Sequence, residues 1–572
     1  MSIRVAIVGA GPAGTALALG LLRDGHEVTL VSDRTGEQIR SGSVMSSQIT
    51  FESALEAEAA LGISELLPAA PPIGRMSYAS PDARFATALG TPARSLDQRV
   101  RVPLLMDALE QRGGKLVVRS AAVDDLELLA RDHDLVVVST GRGGLTSLFE
   151  VDRERSPYSS PQRVASLTYL HGMHPVEEGP TFGYHSVPGV GECFTCPALS
   201  VGGECDIVVV EGVPGGPLDC WDDGADETRH LEQLESVLAE HFEDEWMRLG
   251  DGWSLTDPGA MLHGRITPVV RRPVGVLPSG TPVLGMADVV VLNDPLTIQG
   301  SNNAIKSASF YLEAINAHEG RFGADWMEAT FGNFWRGWAR WATAWTNSWL
   351  QPQTDFQQRI LRAAAQRPAI AETVAAGFDD ARLFDPWWFS EPEATRFLAE
   401  QQASNQARFD VRDLRRALGQ YATGVTVVTA RDDDGHRWAM TANSFTSLSL
   451  NPPVVMWAAA RSSPSLPAFE AAERFAVNVL ASDQHHLSRQ FSTSGVDKFE
   501  GVRLLPGDDD PPMLAGTVAR FVCRRLPDGR GRIDTGDHVA FFGEIESYDA
   551  PGGEPLVFHS GFYRLATRHP DL

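Results

Sequence analysis

The sequence predicts two domains of different class on one chain: an α/β domain whose parallel sheet is split by an antiparallel one, then a compact antiparallel β-barrel. Three observations carry this expectation. The chain opens on an apolar run, residues 3–8, that leads directly into Gly9-Ala10-Gly11-Pro12-Ala13-Gly14 and an Ala/Leu-rich stretch. Residues 165–213 alternate apolar and polar positions between Gly and Pro, the period of antiparallel strands. Beyond residue 409, short β-type runs recur between Asp/Gly turns, as in a small barrel. Single cores stop growing at about 250–300 residues, so 572 residues demand more than one domain.

Residues 5–8 read as a strand, 9–14 as a glycine turn opening a helix, and 27–31 as a second strand, the start of a βαβ unit. The run at 135–138 ends in Ser139-Thr140-Gly141, and residues 282–284 lead into Gly285-Met286-Ala287-Asp288. Both read as strand ends returning to the same sheet. From 305 to 350 the pattern turns helical, with Trp335, Trp338, Trp341, Trp345 and Trp349 at three- and four-residue spacing. Such a stripe reads as core, with substrate contact as the alternative. Ser390-Glu391-Pro392 and a Gln-rich helix make 390–408 a connector between a first domain, 1–389, and a second, 409–572. Strands are expected there over 426–429, 454–457, 475–480, 518–523 and 538–547.

A formal net charge of -25 opposes nucleic-acid and anionic-membrane partners, which require clustered positive charge. A small-molecule ligand is expected instead. The N-terminal run leads into glycines and not into a cleavage site, and no apolar run approaches the about 20 residues of a spanning helix. Five cysteines, an odd number at low density, fit reduced thiols and a cytoplasmic location. Cys193 and Cys196 form C-x-x-C, but Cys205 and Cys220 do not complete a zinc ribbon. Buried free thiols are expected and no metal site.

In G-x-G-x-x-G, Gly9 makes the tight turn, Gly11 admits a pyrophosphate to the backbone, and Gly14 lets helix and strand pack closely beside Ala13. The helix dipole then faces the phosphates. Ser32-Asp33-Arg34 follows about 20 residues later. Asp33 is the ribose-binding candidate, Ser32 its alternative, and Arg34 stands beside both. With one such fingerprint, a nicotinamide dinucleotide must be used elsewhere on the chain. At the other end, T-A-N-S-F-T-S-L-S-L-N-P-P over 441–453 offers Thr441, Asn443, Ser444 and Thr446, small hydroxyl and amide groups suited to a flavin's phosphate and ring heteroatoms.

Over residues 1–405 the chain resembles the epoxidase component of styrene and indole monooxygenases, within the hydroxybenzoate-hydroxylase-like flavoproteins. The segments are V-A-I-V-G-A-G-P-A-G, V-T-L-V-S-D-R, L-D-Q-R-V-R-V-P-L-L-M-D-A-L-E-Q-R-G-G-K, D-L-V-V-V-S-T-G, V-L-G-M-A-D and N-D-P-L-T-I-Q-G-S-N-N-A. The resemblance implies FAD, with Gly141 in the site and Asp288 on the ribityl chain. It also implies that Asp294, Pro295, Gln299, Gly300, Ser301 and Asn302 line the isoalloxazine and that Arg99 reaches the phosphates. Three departures stand out: Ala287 and Ile298 occupy family glycine positions, and Ser43-Val44-Met45-Ser46-Ser47 lacks the usual Arg and Asn.

Residues 409–566 resemble short-chain flavin reductases of the split-barrel fold, on L-x-x-Y-A-T-G-V-T-V-V-T-A, M-T-A-N-S-F-T-S-L-S-L-N-P-P-V-V, T-G-D-H-V-A-F-F-G-E-I-E and P-L-V-F-H-S-G-F-Y-R-L. This implies NADH, with His538 of Gly536-Asp537-His538 and Tyr563 near the nicotinamide, Ser462 and Ser463 near the phosphate, and a homodimer through this domain. Together the resemblances imply that the C-terminal domain reduces FAD with NADH. The N-terminal domain then uses reduced FAD and O2, through a C4a-hydroperoxide, to epoxidise styrene-like or indole-like aromatic alkenes. The cofactor carries the hard step, so no catalytic acid–base residue is assigned. Two alternatives remain: a reductase that mainly feeds reduced FAD to a separate epoxidase, and a flavin-dependent halogenase. The halogenase needs a pocket lysine, and the lysines here are Lys115, Lys306 and Lys498, with no W-x-W-x-I-P.

Overall fold

The computed structural model describes residues 2–141, 143–221, 226–403, 411–432, 435–493, 497–507, 511–527 and 529–566. The chain divides into two compact units, Met1–Gln406 and Ala407–Leu572. Part of the expected connector, 404–408, and the expected start of the second domain at 409 lie outside the described residues.

In the first unit a six-stranded sheet runs Val274–Val276, Pro282–Gly285, Leu135–Val138, Arg4–Val8, Glu27–Ser32, Lys115–Val118. Arg4–Val8 lies at its centre, parallel to both neighbours. Leu135–Val138 is buried at every position, the continuous apolar pattern of a strand covered on both faces. The chain moves outward from Arg4–Val8 on one side, then returns to begin the other side at Leu135–Val138. That reversal puts a crevice at the carboxyl ends of these two strands, where ligands bind in doubly wound sheets.

The second sheet of this unit is built mainly from Arg163–Met173, Thr181–Val187, Gly191–Ser200 and Gly203–Gly212, antiparallel as the alternation of residues 165–213 implies. It also recruits Pro72–Ala79, parallel to Thr181–Val187, and Arg84–Arg94. Neither was anticipated. Alternate side chains meet on one face: Phe194 stands opposite Val209, and Cys196 opposite Ile207.

Gln299–Asn316, Ala324–Phe334 and Arg340–Trp349 supply the expected helices. The segment Trp335–Ala339 between the last two is π-helical. Trp338, Trp345 and Trp349 are buried; Trp345 stacks on Phe384 at 4.5 Å and Trp349 on Trp388 at 5.5 Å. Helix Glu391–Ala403 packs on the same unit, with Phe397 stacked on Trp387 at 4.4 Å.

The second unit centres on the long strand His538–Asp549, which pairs antiparallel with Pro453–Ala460, Ala519–Arg525 and Arg532–Thr535. Thr446–Leu450 ends the sheet on one side. Trp457, wholly buried, stacks on Phe541 at 4.7 Å in a core belonging to this unit. Among the described residues no helix is long and apolar enough to cross a membrane.

Candidate functional site

The glycine turn behaves as its spacing implies. Gly9 adopts φ +118°, which an L side chain avoids. A Cβ on Gly14 would lie 1.9 Å from the Gly9 carbonyl oxygen, so only glycine permits this helix–turn contact. Gly11 differs: a Cβ there meets no protein atom within 4 Å. It caps helix Pro12–Arg23 without a side-chain hydrogen bond, and a helix start left uncapped beside open space is a ready anion cradle. Gly141 and Asp288 meet across the same crevice, since a Cβ on Gly141 would stand 2.7 Å from the Asp288 Cβ.

At the end of Glu27–Ser32, the Ser32 hydroxyl is spent on its own turn, donating to the Arg34 carbonyl at 2.6 Å. Asp33 is exposed and lies 3.6 Å from Arg34. Of the two ribose candidates, Asp33 is therefore the accessible one. Arg34 donates to the Met45 sulfur, and its Nε is buried without a hydrogen-bond partner.

Arg99 corrects the expectation of a phosphate contact. Its guanidinium is 1 % exposed and donates to Asp97 Oδ2 at 2.8 Å, to both Asp257 oxygens at 2.7 and 2.9 Å, and to the Gly42 carbonyl at 3.1 Å. Burial opposes ionisation of Asp257, but the Arg99 hydrogen bonds hold its carboxyl below the usual range. With its donors engaged by two carboxylates, Arg99 clamps the loop at Gly42 to the turn at Asp257. The loop is pinned further on: Val44 N–H donates to the Gly259 carbonyl at 2.8 Å, and Gln98 to the Ser46 hydroxyl at 2.6 Å.

The segment 294–302 splits into two sets. Asp294, Gln299 and Asn302 are buried beneath the turn, whereas Pro295, Gly300 and Ser301 stay accessible. Asp294 accepts from Leu296 N–H at 3.2 Å. Gln299 donates to the Thr297 and Phe378 carbonyls. Asn302 donates to the Ile49 and Ile298 carbonyls and accepts from Phe51 N–H. Asn302 thus ties the turn to the 49–51 strip and Gln299 ties it to Phe378, while Asp294 closes the turn itself.

Against that turn lies a narrow apolar cavity of only about 10 Å³. Its sheet wall is Phe182, Phe194, Thr195, Cys196, Ile207 and Val209; its other wall is Ser47, Gln48, Ile49 and Ile298. Gln48 is buried with both amide atoms unpaired. None of the five tryptophans of the stripe lines this cavity, and no lysine does. Lys306 instead stands 3.0 Å over the Trp338 ring, its pKa lowered to about 7 by burial against the pull of Asp379. The cavity residues were missed because three distant segments supply them and each is unremarkable alone.

Cys193 and Cys196 cannot act together. Residues three apart on a strand point to opposite faces, and burial pushes the Cys193 thiol well above its ordinary pKa. All five cysteines are free, and no metal-holding group occurs among the described residues.

In the second unit the candidates form two clusters. Tyr563 donates to the Ser488 hydroxyl at 2.9 Å, and Thr441 donates to the Ser488 carbonyl at 2.6 Å. His538 stands opposite Ala460 in register and is 2.8 Å from Asp537 through Nδ1. Arg461, which the sequence reading missed, donates to the Gly536 carbonyl at 2.7 Å and pairs with Asp534, tying the Ser462-Ser463 loop to the Gly536 turn. Ser444 accepts from Ala458 N–H at 2.8 Å, fixing the motif turn, while Asn443 and Thr446 are exposed.

The "Styrene monooxygenase A putative substrate binding domain" family matches residues 141–248, and "Flavin reductase like domain" matches 418–566. "NADP oxidoreductase coenzyme F420-dependent" matches 4–60, the opening βαβ unit. Styrene monooxygenase StyA of Pseudomonas fluorescens is 31% identical over 337 residues, 56% of this chain and 78% of that protein. The chain belongs to the styrene monooxygenase family. Behind that region it carries a flavin reductase domain: the FMN reductase (NADH) SmoA of Agrobacterium fabrum is 43% identical over 157 residues, 27% of this chain and 87% of that protein. The styrene monooxygenase flavin reductase structure from Pseudomonas putida S12 is 29% identical, covers 27% of this chain and 99% of its own, and has a TM-score of 0.25.

Two features stand out in this styrene monooxygenase-family chain. Ala287 and Ile298 both hold left-handed backbone, φ 57° and 59°, a region that costs an L residue about 1–2 kcal/mol. Both positions hold the backbone conformation that glycine favours. Beneath the turn, Glu211 and Asp294 face each other with Glu211 Oε1, Glu211 Oε2 and Asp294 Oδ2 lacking donors. Burial, then the Asp294 charge, raises the Glu211 pKa well above the ordinary value, and burial raises that of Asp294. Two buried carboxylates this close repel when both are charged, so the raised values favour one proton shared by the pair. Arg163 neutralises the neighbouring Glu192 through two hydrogen bonds, 2.9 and 3.2 Å.

Proposed function

We propose that this chain is a self-sufficient flavoprotein monooxygenase. Its C-terminal unit reduces FAD with NADH, and its N-terminal unit uses reduced FAD and O2 to epoxidise an aromatic alkene of the styrene or indole class. The observation that carries this reading is the joining, on one chain, of a styrene monooxygenase-like region with an open Gly11 cradle to a flavin reductase domain. The finer fold reading is a hydroxybenzoate-hydroxylase-type domain, residues 1–389, joined through 390–408 to a split-barrel reductase.

The cradle at Gly11, open where Gly9 and Gly14 are crowded, fits a pyrophosphate. When bound, FAD supplies electron transfer and oxygen activation. Everything else falls to the protein. The N–H groups of Gly11, Ala13 and Gly14 hold the pyrophosphate, Asp33 and Arg34 the ribose, and Asp288 beside Gly141 the ribityl chain. Pro295, Gly300 and Ser301 meet the ring edge, while Asp294, Gln299 and Asn302 hold the turn from behind. Phe182, Phe194 and Val209 exclude water. In the reductase unit, Thr441, Asn443, Ser444, Thr446, Ser462 and Ser463 bind flavin, and His538 and Tyr563 orient NADH. A homodimer through this unit is supported by its exposed Leu418, Leu448 and Leu450.

The test is turnover of the purified chain with NADH, FAD, O2 and styrene or indole, scoring oxygenated product against H2O2 per NADH. Substantial product is expected. NADH oxidation that yields H2O2 almost alone would replace this reading with that of a reductase serving a separate epoxidase.

A further inference from the structure

We infer that Lys306 is a positioning residue for the flavin-lining turn: it ends a stripe of three side chains on one helix face that ties the turn to residues 49–53 and 378–379, and its amine, when charged, tightens the hold of the N-terminal unit on FAD. This rests on reading the turn at 294–302 as part of an FAD site.

Helix Gln299–Asn316 opens at that turn. Gln299, Asn302 and Lys306 stand three and four residues apart, so they share one helix face, and all three are buried. Each reaches one of the same two neighbours. Gln299 donates to the Phe378 carbonyl at 2.9 Å, and Asn302 donates to the Ile49 carbonyl at 2.9 Å while accepting from Phe51 N–H at 3.1 Å. Lys306 reaches both neighbours at once. Its Nζ donates to the Ser53 hydroxyl, which donates to Asp379, and Ser53 N–H donates to the same carboxylate at 2.8 Å. Asp379 directly follows Phe378, so whatever holds its carboxylate also steadies the carbonyl that Gln299 grips.

A buried lysine is costly unless its charge is met. Here the centroid of the Trp338 ring lies 3.0 Å from Nζ, and that ring is fixed by a 2.7 Å hydrogen bond from its Nε1 to Asn303 on the same helix. The groups around Nζ oppose one another. Burial acts first and disfavours the ammonium, as does Arg382, whereas Asp379, Asp380 and Glu56 of helix Glu52–Leu61 favour it. Burial prevails and brings the pKa down to about 7. Below that value the ammonium faces the ring and answers the Asp379 charge through Ser53. Above it the hydrogen bond to Ser53 remains, but Asp379 loses its counter-charge. If FAD binds the tightened turn better, it binds better below pH 7 and in turn raises the lysine pKa, since coupling is reciprocal.

The test is calorimetric titration of FAD into the full chain from pH 6 to 8.5, with Lys306→Met, Lys306→Gln, which keeps a donor without the charge, and Asp379→Asn. Gly11→Ala identifies the heat that belongs to the N-terminal site, and melting temperature is read for each variant. Wild-type affinity at that site is expected to fall about 10-fold as pH rises through 7, while both Lys306 variants keep the weaker, high-pH affinity throughout. Asp379→Asn removes the charge that most favours the ammonium, so its midpoint should move to lower pH. A lysine that serves packing alone would weaken binding on substitution and leave the profile parallel to wild type. Parallel profiles in Lys306→Met and Lys306→Gln therefore overturn the inference and leave the FAD site standing. A titration in which Gly11→Ala weakens no component takes FAD away from the N-terminal cradle and overturns both. Should Lys306→Met not fold, Lys306→Gln and Asp379→Asn decide the matter.

Discussion

Protonation of the buried carboxyl pair has a consequence for stability. Both Glu211 and Asp294 have pKa values raised by burial, so the folded chain binds more protons than the unfolded one above the ordinary carboxylate value of about 4. Their contribution is complete below that value and is lost as pH rises toward the raised folded values. Glu211→Gln keeps a neutral donor facing Asp294 at every pH. Its melting temperature should match wild type near pH 5 and exceed it increasingly toward pH 8.5; a parallel pair of curves would refute the shared proton. Glu211→Ala leaves Asp294 facing a void and should cost about 1–3 kcal/mol. Ala287, at φ 57°, gives the opposite case. Ala287→Gly should stabilise the N-terminal unit by about 1 kcal/mol, backbone relief being partly offset by the entropy of an unfolded glycine, as read by denaturant titration.

The glycine turn separates two kinds of constraint within one element. Gly14→Ala drives a Cβ into the Gly9 carbonyl and should destabilise the unit by about 1–3 kcal/mol, as overpacking does. Gly11→Ala meets no protein atom and has ordinary φ of -74°. It should leave melting unchanged and weaken FAD binding, measured by flavin fluorescence, by about 10-fold. Equal affinity in Gly11→Ala would remove the pyrophosphate from this cradle. The tight turn at Gly9 and the close packing at Gly14 were legible in the sequence because they follow from local stereochemistry within six residues. The strand at 135–138 was legible for a similar reason, since a continuous apolar run names a covered strand. The Arg99 clamp was not legible, because its partner Asp257 lies 158 residues away. Strand Arg84–Arg94 was missed because its burial hardly alternates. The cavity depended on register: only the pairing of Phe194 with Val209 and Cys196 with Ile207 brings those side chains to one face.

At the scale of the whole molecule, charge and exposed apolar surface oppose each other. Each chain carries -25, so two copies repel and any association must come from apolar burial, aided by salt that screens beyond about 10 Å at 0.1 M. The C-terminal unit offers such surface. Leu414 and Leu418 lie one turn apart on helix Val411–Gly419, both exposed. Leu448 and Leu450, the latter 89% exposed, both stand exposed on the sheet-end strand Thr446–Leu450. An open strand end carrying leucines invites pairing with another chain, and this one also carries Thr446 of the flavin motif. Light scattering should therefore give the mass of two chains at physiological salt, with dissociation favoured as salt is lowered. Leu418→Asp with Leu450→Asp removes two apolar anchors of about 1.5–3 kcal/mol each, weakening the dimer on the order of 10²- to 10⁴-fold. Because both side chains are exposed in the single chain, its melting should hardly change. Flavin reduction should fall in step with the dimer population if the second copy completes the flavin site. A wild-type mass of one chain, or full reductase activity in a monomeric double variant, would show instead that each C-terminal unit works alone.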